Sequence, residues 1–555
     1  MTIHSNHIKD LFSLLFFLAV TLFWWLCYPQ ALNIQEENQL FLWSFDYFHE
    51  RMSLPGGLAD WIGECLTQFF YLPWLGALIL GVLAVAVQRL TERLLPKGWM
   101  STVLSLLPPV LLIGVMGDVN VLLSYVVALI AVFGLFFAVV STDRPGTRPV
   151  VRYIDEAVNV FFLYWFFGPL TWLYVALRVI HDWRHAWWIA LWLPVLQIFF
   201  YWLTTFEYPL KAFMLGINYY RIPLELVNPW WLLTVPVAIV VLALIGRSLK
   251  RILERRSPLF VVAAALLVIL TAFGSWHLGY PKDEYELYMQ DKLVREQRWQ
   301  DIISRAERYQ VKNNFSSNCV NLALAMTRQL AERQFTFYQS GDDALIMPMV
   351  RDNLSNWPTA EAFWHLGMVN SAKRYAYDLQ ESILNARRSG RCMKRIAECL
   401  IVNGQYKVAQ KYLDILKQSL FYRSWAKQAE TCLGNEAKVN ANPEWAWLRQ
   451  VRYKDNFLYS YPEMDKMLGL LFINNTANKM ALDYFMGQML LKGEVPQFMQ
   501  YMGWVQRYGG YEQIPAGYAD IVQLMKSNGN VPGSPYLKYI KQRRKKKKKI
   551  SSLPY

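Results

Sequence analysis

Residues 257–281 read SPLFVVAAALLVILTAFGSWHLGYP, and residues 282–297 read KDEYELYMQDKLVREQ. The first stretch carries no formal charge and exceeds the roughly 20 apolar residues a helix needs to cross a bilayer. The second scatters charges among Tyr, Leu and Val, as a water-facing amphipathic helix does. The join near residue 280 therefore separates two kinds of chain. Upstream of it lie seven further uncharged stretches of similar character: Leu11–Cys27, Phe69–Val87, Ser101–Gly117, Val119–Thr142, Ala157–Leu177, Ala186–Phe206 and Leu226–Gly246. With the last, Ser257–Trp276, they make eight. A chain of 555 residues that is 54% hydrophobic and 18% charged is not a single soluble globular domain.

Leu11–Cys27 reads as a retained helix and not a cleaved leader. Trp24, Trp25 and Tyr28-Pro29 stand where a small-residue cleavage site would be needed. Orientation follows from Lys and Arg in short loops, which stay in the cytoplasm. Lys9 precedes the first helix, so the N-terminus is expected to be cytoplasmic. Arg247, Lys250, Arg251, Arg255 and Arg256 precede the last helix, so its far end is expected outside. Eight crossings return a chain to its starting side, so one segment must break the count. Gly168-Pro169, in the middle of the fifth, is the expected break, because Pro removes a helical hydrogen bond and Gly loosens the backbone. That gives eight to nine membrane segments.

Beyond residue 280 the pattern is of ordinary amphipathic helices with short Gly-, Asn- or Pro-bearing connections, and no strand-like alternation stands out. One pair resembles a tetratricopeptide repeat: Ile396, Ala397 and Leu400 on a first helix, the turn Asn403-Gly404-Gln405-Tyr406, then Ala409, Leu413 and Leu416 on a second. Trp299–Tyr309 and Phe363–Ala376 look like degenerate copies. An irregular helical bundle without repeats is the alternative. The closing run Arg543, Arg544, Lys545, Lys546, Lys547, Lys548 and Lys549 cannot bury itself and is expected to be disordered. Anionic lipid would suit it, and a solvated tail with no dedicated partner suits it equally. No helix-turn-helix, zinc or aromatic-platform motif supports a nucleic-acid partner.

The predicted fold is thus all-α. A polytopic transmembrane domain covers 1–279, with an external first loop at 28–68. A tetratricopeptide-like helical solenoid covers 280–540, and a disordered polybasic tail covers 541–555. The expected location is the bacterial inner membrane, multi-pass, with the second domain periplasmic.

Chemistry is less legible. The six Cys form no C-x-x-C pair, the seven His never take a metal-ligand spacing, and no Walker loop, dinucleotide fingerprint or G-x-S-x-G elbow is present. The first loop is the suggestive segment. It holds Glu36, Glu37, Asp46, Glu50, Asp60 and Glu64 against the single Arg51. Carboxylates at a membrane surface can bind a divalent metal or deprotonate an acceptor. They can equally keep an external loop soluble.

The acidic loop with Glu36-Glu37, followed by Pro55-Gly56-Gly57-Leu58-Ala59-Asp60-Trp61 leading into Phe69-Phe70-Tyr71, is similar to the GT-C class of polyprenyl-phosphate-sugar glycosyltransferases. The class pattern of paired acids is approximated, with Gln35 and Asn38 flanking the two Glu. The resemblance implies Glu37 or Glu36 as base, Asp46 as second carboxylate, and a divalent metal as the potential cofactor. It also implies Lys211 and Arg221 holding a lipid phosphate, with Tyr219 and Tyr220 shaping the sugar pocket. Interfacial anchoring explains those last four residues without a substrate. Gln39-Leu40-Phe41-Leu42-Trp43, Asp46-Tyr47-Phe48 and Pro55-Gly56-Gly57-Leu58 with Gln68-Phe69 more closely resemble an uncharacterised bacterial multi-pass membrane family, which implies no activity.

Two functions are expected to compete. One is an envelope glycosyltransferase with a polyprenyl-phosphate sugar donor. The other is a membrane-anchored scaffold whose repeat domain docks an envelope protein. Transport ranks third, because the apolar stretches hold no ionisable residue.

Overall fold

In hydrocarbon a backbone can bond only to itself, so a chain as apolar as this N-terminal half has to be helical. A computed structural model describes residues 2–143, 149–204, 209–215, 229–253, 258–383, 387–454, 460–526 and 533–551, and among these every regular element is a helix. The chain divides into two compact units. The first comprises Met1–Tyr285 with the short stretches Leu384–Ser389 and Gln418–Phe421; the second holds Glu286–Ile383, Gly390–Lys417 and Tyr422–Tyr555.

Among the described residues of the first unit, seven helices are long and apolar enough to span a membrane: His7–Cys27, Pro73–Leu94, Leu123–Thr142, Val150–His181, Trp183–Leu203, Trp230–Ser248 and Pro258–Gly279. Eight were expected, and the difference lies at Ser101–Gly117. That stretch is a shorter apolar run, Trp99–Val115, broken into Trp99–Leu104 and Leu107–Val115. Pro108 and Pro109 have no amide hydrogen to donate, so they fit only the first turn of a new helix.

Contacts between helix ends sort these segments onto two faces. At one, Lys9 pairs with Glu92 at 3.0 Å and Arg89 with Asp10 at 2.6 Å, which joins the start of the first span to the end of the second. At the other, the rings of Tyr28 and Tyr280 lie 4.5 Å apart and the Trp276 indole donates to the Tyr28 hydroxyl at 2.8 Å. Tyr280 and Tyr285 donate there to the carbonyls of Ile113 and Gly117, at 2.7 and 2.6 Å. The first and last spans thus end on the same face and run parallel. An odd number of net traverses must separate them.

Two departures give the odd count: the short run Trp99–Val115 traverses, its Thr102 bonding Glu92 at the first face and its Ile113 accepting from Tyr280 at the second, and Val150–His181 does not. Were its 32 residues one straight helix, Glu156 and Arg178 would stand about 33 Å apart at 1.5 Å per residue. Instead the Arg178 Nε donates to Glu156 at 2.8 Å and the Tyr174 hydroxyl donates to the same carboxylate at 2.9 Å. The chain folds back at Gly168-Pro169-Leu170, where Gly168 takes a left-handed φ of 68°. Arg178 also reaches Asp143 at 2.9 Å, and Arg152 reaches Asp182 at 3.4 Å, closing the open end of the hairpin. The break expected at Gly168-Pro169 is where the chain turns. The helices run past the uncharged core of this segment, so it does hold a buried ion pair, Glu156 with Arg178, that the apolar stretch alone did not include.

In the second unit, Trp357–His365, Val369–Glu381, Gly390–Val402, Tyr406–Lys417 and Arg423–Glu430 pack each against the next. The turn predicted at Asn403–Tyr406 is present. Gly404 has φ 74°, its amide donates to Ile401 at 3.0 Å, and the Gln405 amide donates to Leu400 at 2.8 Å. Gly367 ends its helix in the same way, with donors to Trp364 and Phe363. In each case a residue without Cβ lets the chain reverse while the last carbonyls stay bonded. Ala397 and Ala409 are fully buried at the seam, as their size predicts.

The final helix spans Pro535–Ser551, and ahead of the polybasic run Tyr536 and Tyr539 are buried and donate to the carbonyls of Leu490 and Leu491 at 3.2 and 2.7 Å; residues 552–555 lie outside the described residues. Those carbonyls lie in the last turn of the helix Lys479–Lys492, where Leu490 O also accepts from the Gly493 amide.

Candidate functional site

The first loop is built around its glycines. Gly56 adopts φ 89° and its amide donates to the Trp165 carbonyl at 2.8 Å. A Cβ on Gly57 would stand 1.9 Å from the Arg51 carbonyl oxygen, so only glycine lets Phe45–Met52 and Gly57–Thr67 meet this closely. The resulting placement of Gly57–Thr67 puts Asp60 and Glu64, one turn apart, on a common helix face.

That face meets Arg387, which belongs to the same unit although it is distant in sequence. Its Nε bonds Glu64 and its Nη2 lies 3.2 Å from Asp60. Arg51 Nε reaches the other Glu64 oxygen at 3.1 Å, and the Tyr47 hydroxyl donates to that same oxygen. Backbone bonds hold the surroundings: Leu40 N–H to Arg388 O at 2.7 Å, and Trp43 N–H to Gln418 O at 2.9 Å. The Phe421 ring stacks on Tyr71 at 4.9 Å. Two short stretches from late in the sequence are thereby clamped onto the first loop.

The two carboxyls titrate in opposite directions. Burial pushes the Asp60 carboxyl up, and the Arg387 guanidinium only partly offsets it. Burial would push Glu64 up as well, but Arg387 and Arg51 outweigh it and hold that carboxyl below its usual range. With 15% of its side chain exposed against 1% for Glu64, Asp60 is the member of the pair that solvent can reach.

A folded-state pKa above the unfolded value means that Asp60 contributes stability in acid and loses it as pH rises through the folded value. Glu64 does the opposite, contributing above the unfolded value and failing as pH falls through its depressed one. Asp60→Asn removes the first term alone. Its melting temperature should rise relative to wild type near neutrality, and the gain should shrink toward the usual carboxylate range, as followed by tryptophan fluorescence in detergent.

Glu36 and Glu37 are buried at the end of the helix Pro29–Glu37, while Asp46 is exposed on Phe45–Met52. Lys211 is exposed on Leu210–Leu215, and Tyr219, Tyr220 and Arg221 lie outside the described residues. Among the described residues no group of three or more His, Cys, Asp or Glu is placed to hold a metal ion. The partner that sequence reasoning missed is Arg387. Its signal was the cation cluster Arg387-Arg388-Ser389-Gly390-Arg391, which leads into the helix Gly390–Val402.

Helices that traverse a membrane, a hairpin with a buried ion pair, a clamped acidic loop and a second helical unit together define a polytopic helical membrane protein. The chain belongs to the Family of unknown function (DUF6057), whose model matches residues 3–547. No curated protein and no solved structure matches it.

Proposed function

We propose that this is a multi-pass protein of the bacterial inner membrane that acts as a scaffold, with a tetratricopeptide-like second unit that docks an envelope partner. Its N-terminus is cytoplasmic, and its first loop and second unit are periplasmic. The observation that carries the scaffold reading is the saturation of Glu64 by Arg51, Arg387 and Tyr47. A carboxylate neutralised on both oxygens fastens chain segments and is poorly disposed to take a proton. The consecutive helix pairs of the second unit offer the extended surface that repeat proteins use for binding. The positive-inside rule supports the orientation, because Arg89, Arg93, Arg152, Arg178 and Arg247 end segments on the face of Lys9.

A second reading has one observation in its favour. Asp60 is a partly exposed carboxyl raised above its usual range beside a guanidinium, and such a group can act as general base. On this reading it would serve glycosyl transfer from a polyprenyl-phosphate sugar, a divalent metal could assist, and Lys211 would meet the lipid phosphate.

The discriminating experiment is complementation of a deletion strain by Glu36→Gln/Glu37→Gln/Asp46→Asn and, separately, by Asp60→Asn. The scaffold reading expects full function from both at normal expression. Loss of function in Asp60→Asn, with unimpaired folding, would select the enzyme.

A further inference from the structure

The final helix, Pro535–Ser551, has two dissimilar halves. Its first half is seated: Phe335 packs on Tyr536 and Tyr539 with ring centroids 4.9 and 5.2 Å away, and both hydroxyls donate to backbone carbonyls. Its second half is the run Arg543, Arg544, Lys545, Lys546, Lys547, Lys548 and Lys549, with no acid among them. Arg543 pairs with Asp342 at 2.8 Å, while Lys541, Arg544 and Lys545 are exposed.

Cations near a helix C-terminus are favoured by the macrodipole, but like charges spaced three and four residues apart repel each other on the helix surface. The sequence places seven cations in a row at that end, and Lys541, Arg544 and Lys545 are exposed to solvent. An anionic surface would relieve the repulsion and keep the turn wound. The bilayer that the N-terminal half occupies presents a surface of that kind wherever its headgroups are anionic.

We infer that the C-terminal end of this helix is a docking site for acidic phospholipid headgroups at a bilayer surface. The tyrosine-seated half acts as a rigid mount that presents the cations without first having to order them. A nucleic acid would meet the same charge, but the run interleaves no aromatic residue on which bases could stack.

The test uses the full chain in nanodiscs of neutral phosphatidylcholine, and in nanodiscs containing phosphatidylglycerol. The rate of trypsin cleavage within 543–549 is read by mass spectrometry. Each cation near an anionic surface adds to binding, so protection in the acidic discs should be about tenfold or more and should be lost in high salt. Lys545→Gln/Lys546→Gln/Lys547→Gln should abolish the difference at the remaining Arg543 and Arg544 sites, whereas Tyr536→Ala should weaken it by freeing the mount. Equal cleavage in both kinds of disc would overturn the inference. So would protection in neutral discs by added transfer RNA matching that in acidic discs.

Discussion

Replacing Arg387 with alanine is expected to destabilise the first unit by about 3–5 kcal/mol, the usual cost of leaving a buried charge without its partner. Arg387 is 1% exposed and bonds both carboxyls of Gly57–Thr67, and Glu64 is equally buried. The loss should appear as a lowered melting temperature of the full chain in detergent. Arg387→Lys should recover little, because one ammonium cannot reproduce a fork that reaches Glu64 through Nε and Asp60 through Nη2. Adding Asp60→Asn to the alanine variant should recover part of the loss, since Asp60 loses its bonded cation while Glu64 keeps Arg51. If Arg387→Ala melts like wild type, the clamp contributes nothing and the scaffold reading loses its support.

Gly63→Val should rival that effect by another route. A Cβ at Gly63 would lie 2.5 Å from the backbone nitrogen of Ser124 and 2.7 Å from its Cα, and backbone cannot yield as a flexible side chain does. Gly57–Thr67 would have to lift off Leu123–Thr142, opening the small core in which Ala59 packs with Val127 and Ala128. Overpacking of this kind costs about 1–3 kcal/mol. Because the same movement withdraws Asp60 and Glu64 from Arg387, the total should exceed that range. Gly274→Ala is the control. Nothing lies within 4 Å of a Cβ there, so its melting temperature should be unchanged or slightly higher.

The membrane helices were readable because hydrophobic length is a local property, and the turn at Gly168-Pro169 because both residues act on their own backbone. The pair Glu156–Arg178 was not readable. Each residue sits at the polar edge of an apolar stretch, and only the fold-back makes them neighbours. Glu64 and Arg387 lie still further apart in sequence, and charge composition names the acids of the first loop without saying which will find a cation. That is why Glu36 and Glu37, adjacent and conspicuous, drew attention that the geometry gives to Asp60 and Glu64. The seating of the final helix was not legible for a related reason: the two tyrosines that mount it act through Leu490 and Leu491, 46 and 48 residues upstream, as their hydrogen bonds show.

The arrangement of helix ends on two faces carries the account, and two-sided cysteine labelling tests it most directly. With the native cysteines replaced, Asp10→Cys, Asp46→Cys and Lys282→Cys would each be exposed to a membrane-impermeant maleimide in spheroplasts and in inverted vesicles. Asp46→Cys and Lys282→Cys should react in spheroplasts, and Asp10→Cys only in inverted vesicles. Reaction of Asp10→Cys and Lys282→Cys from the same side would contradict the parallel course of the first and last spans.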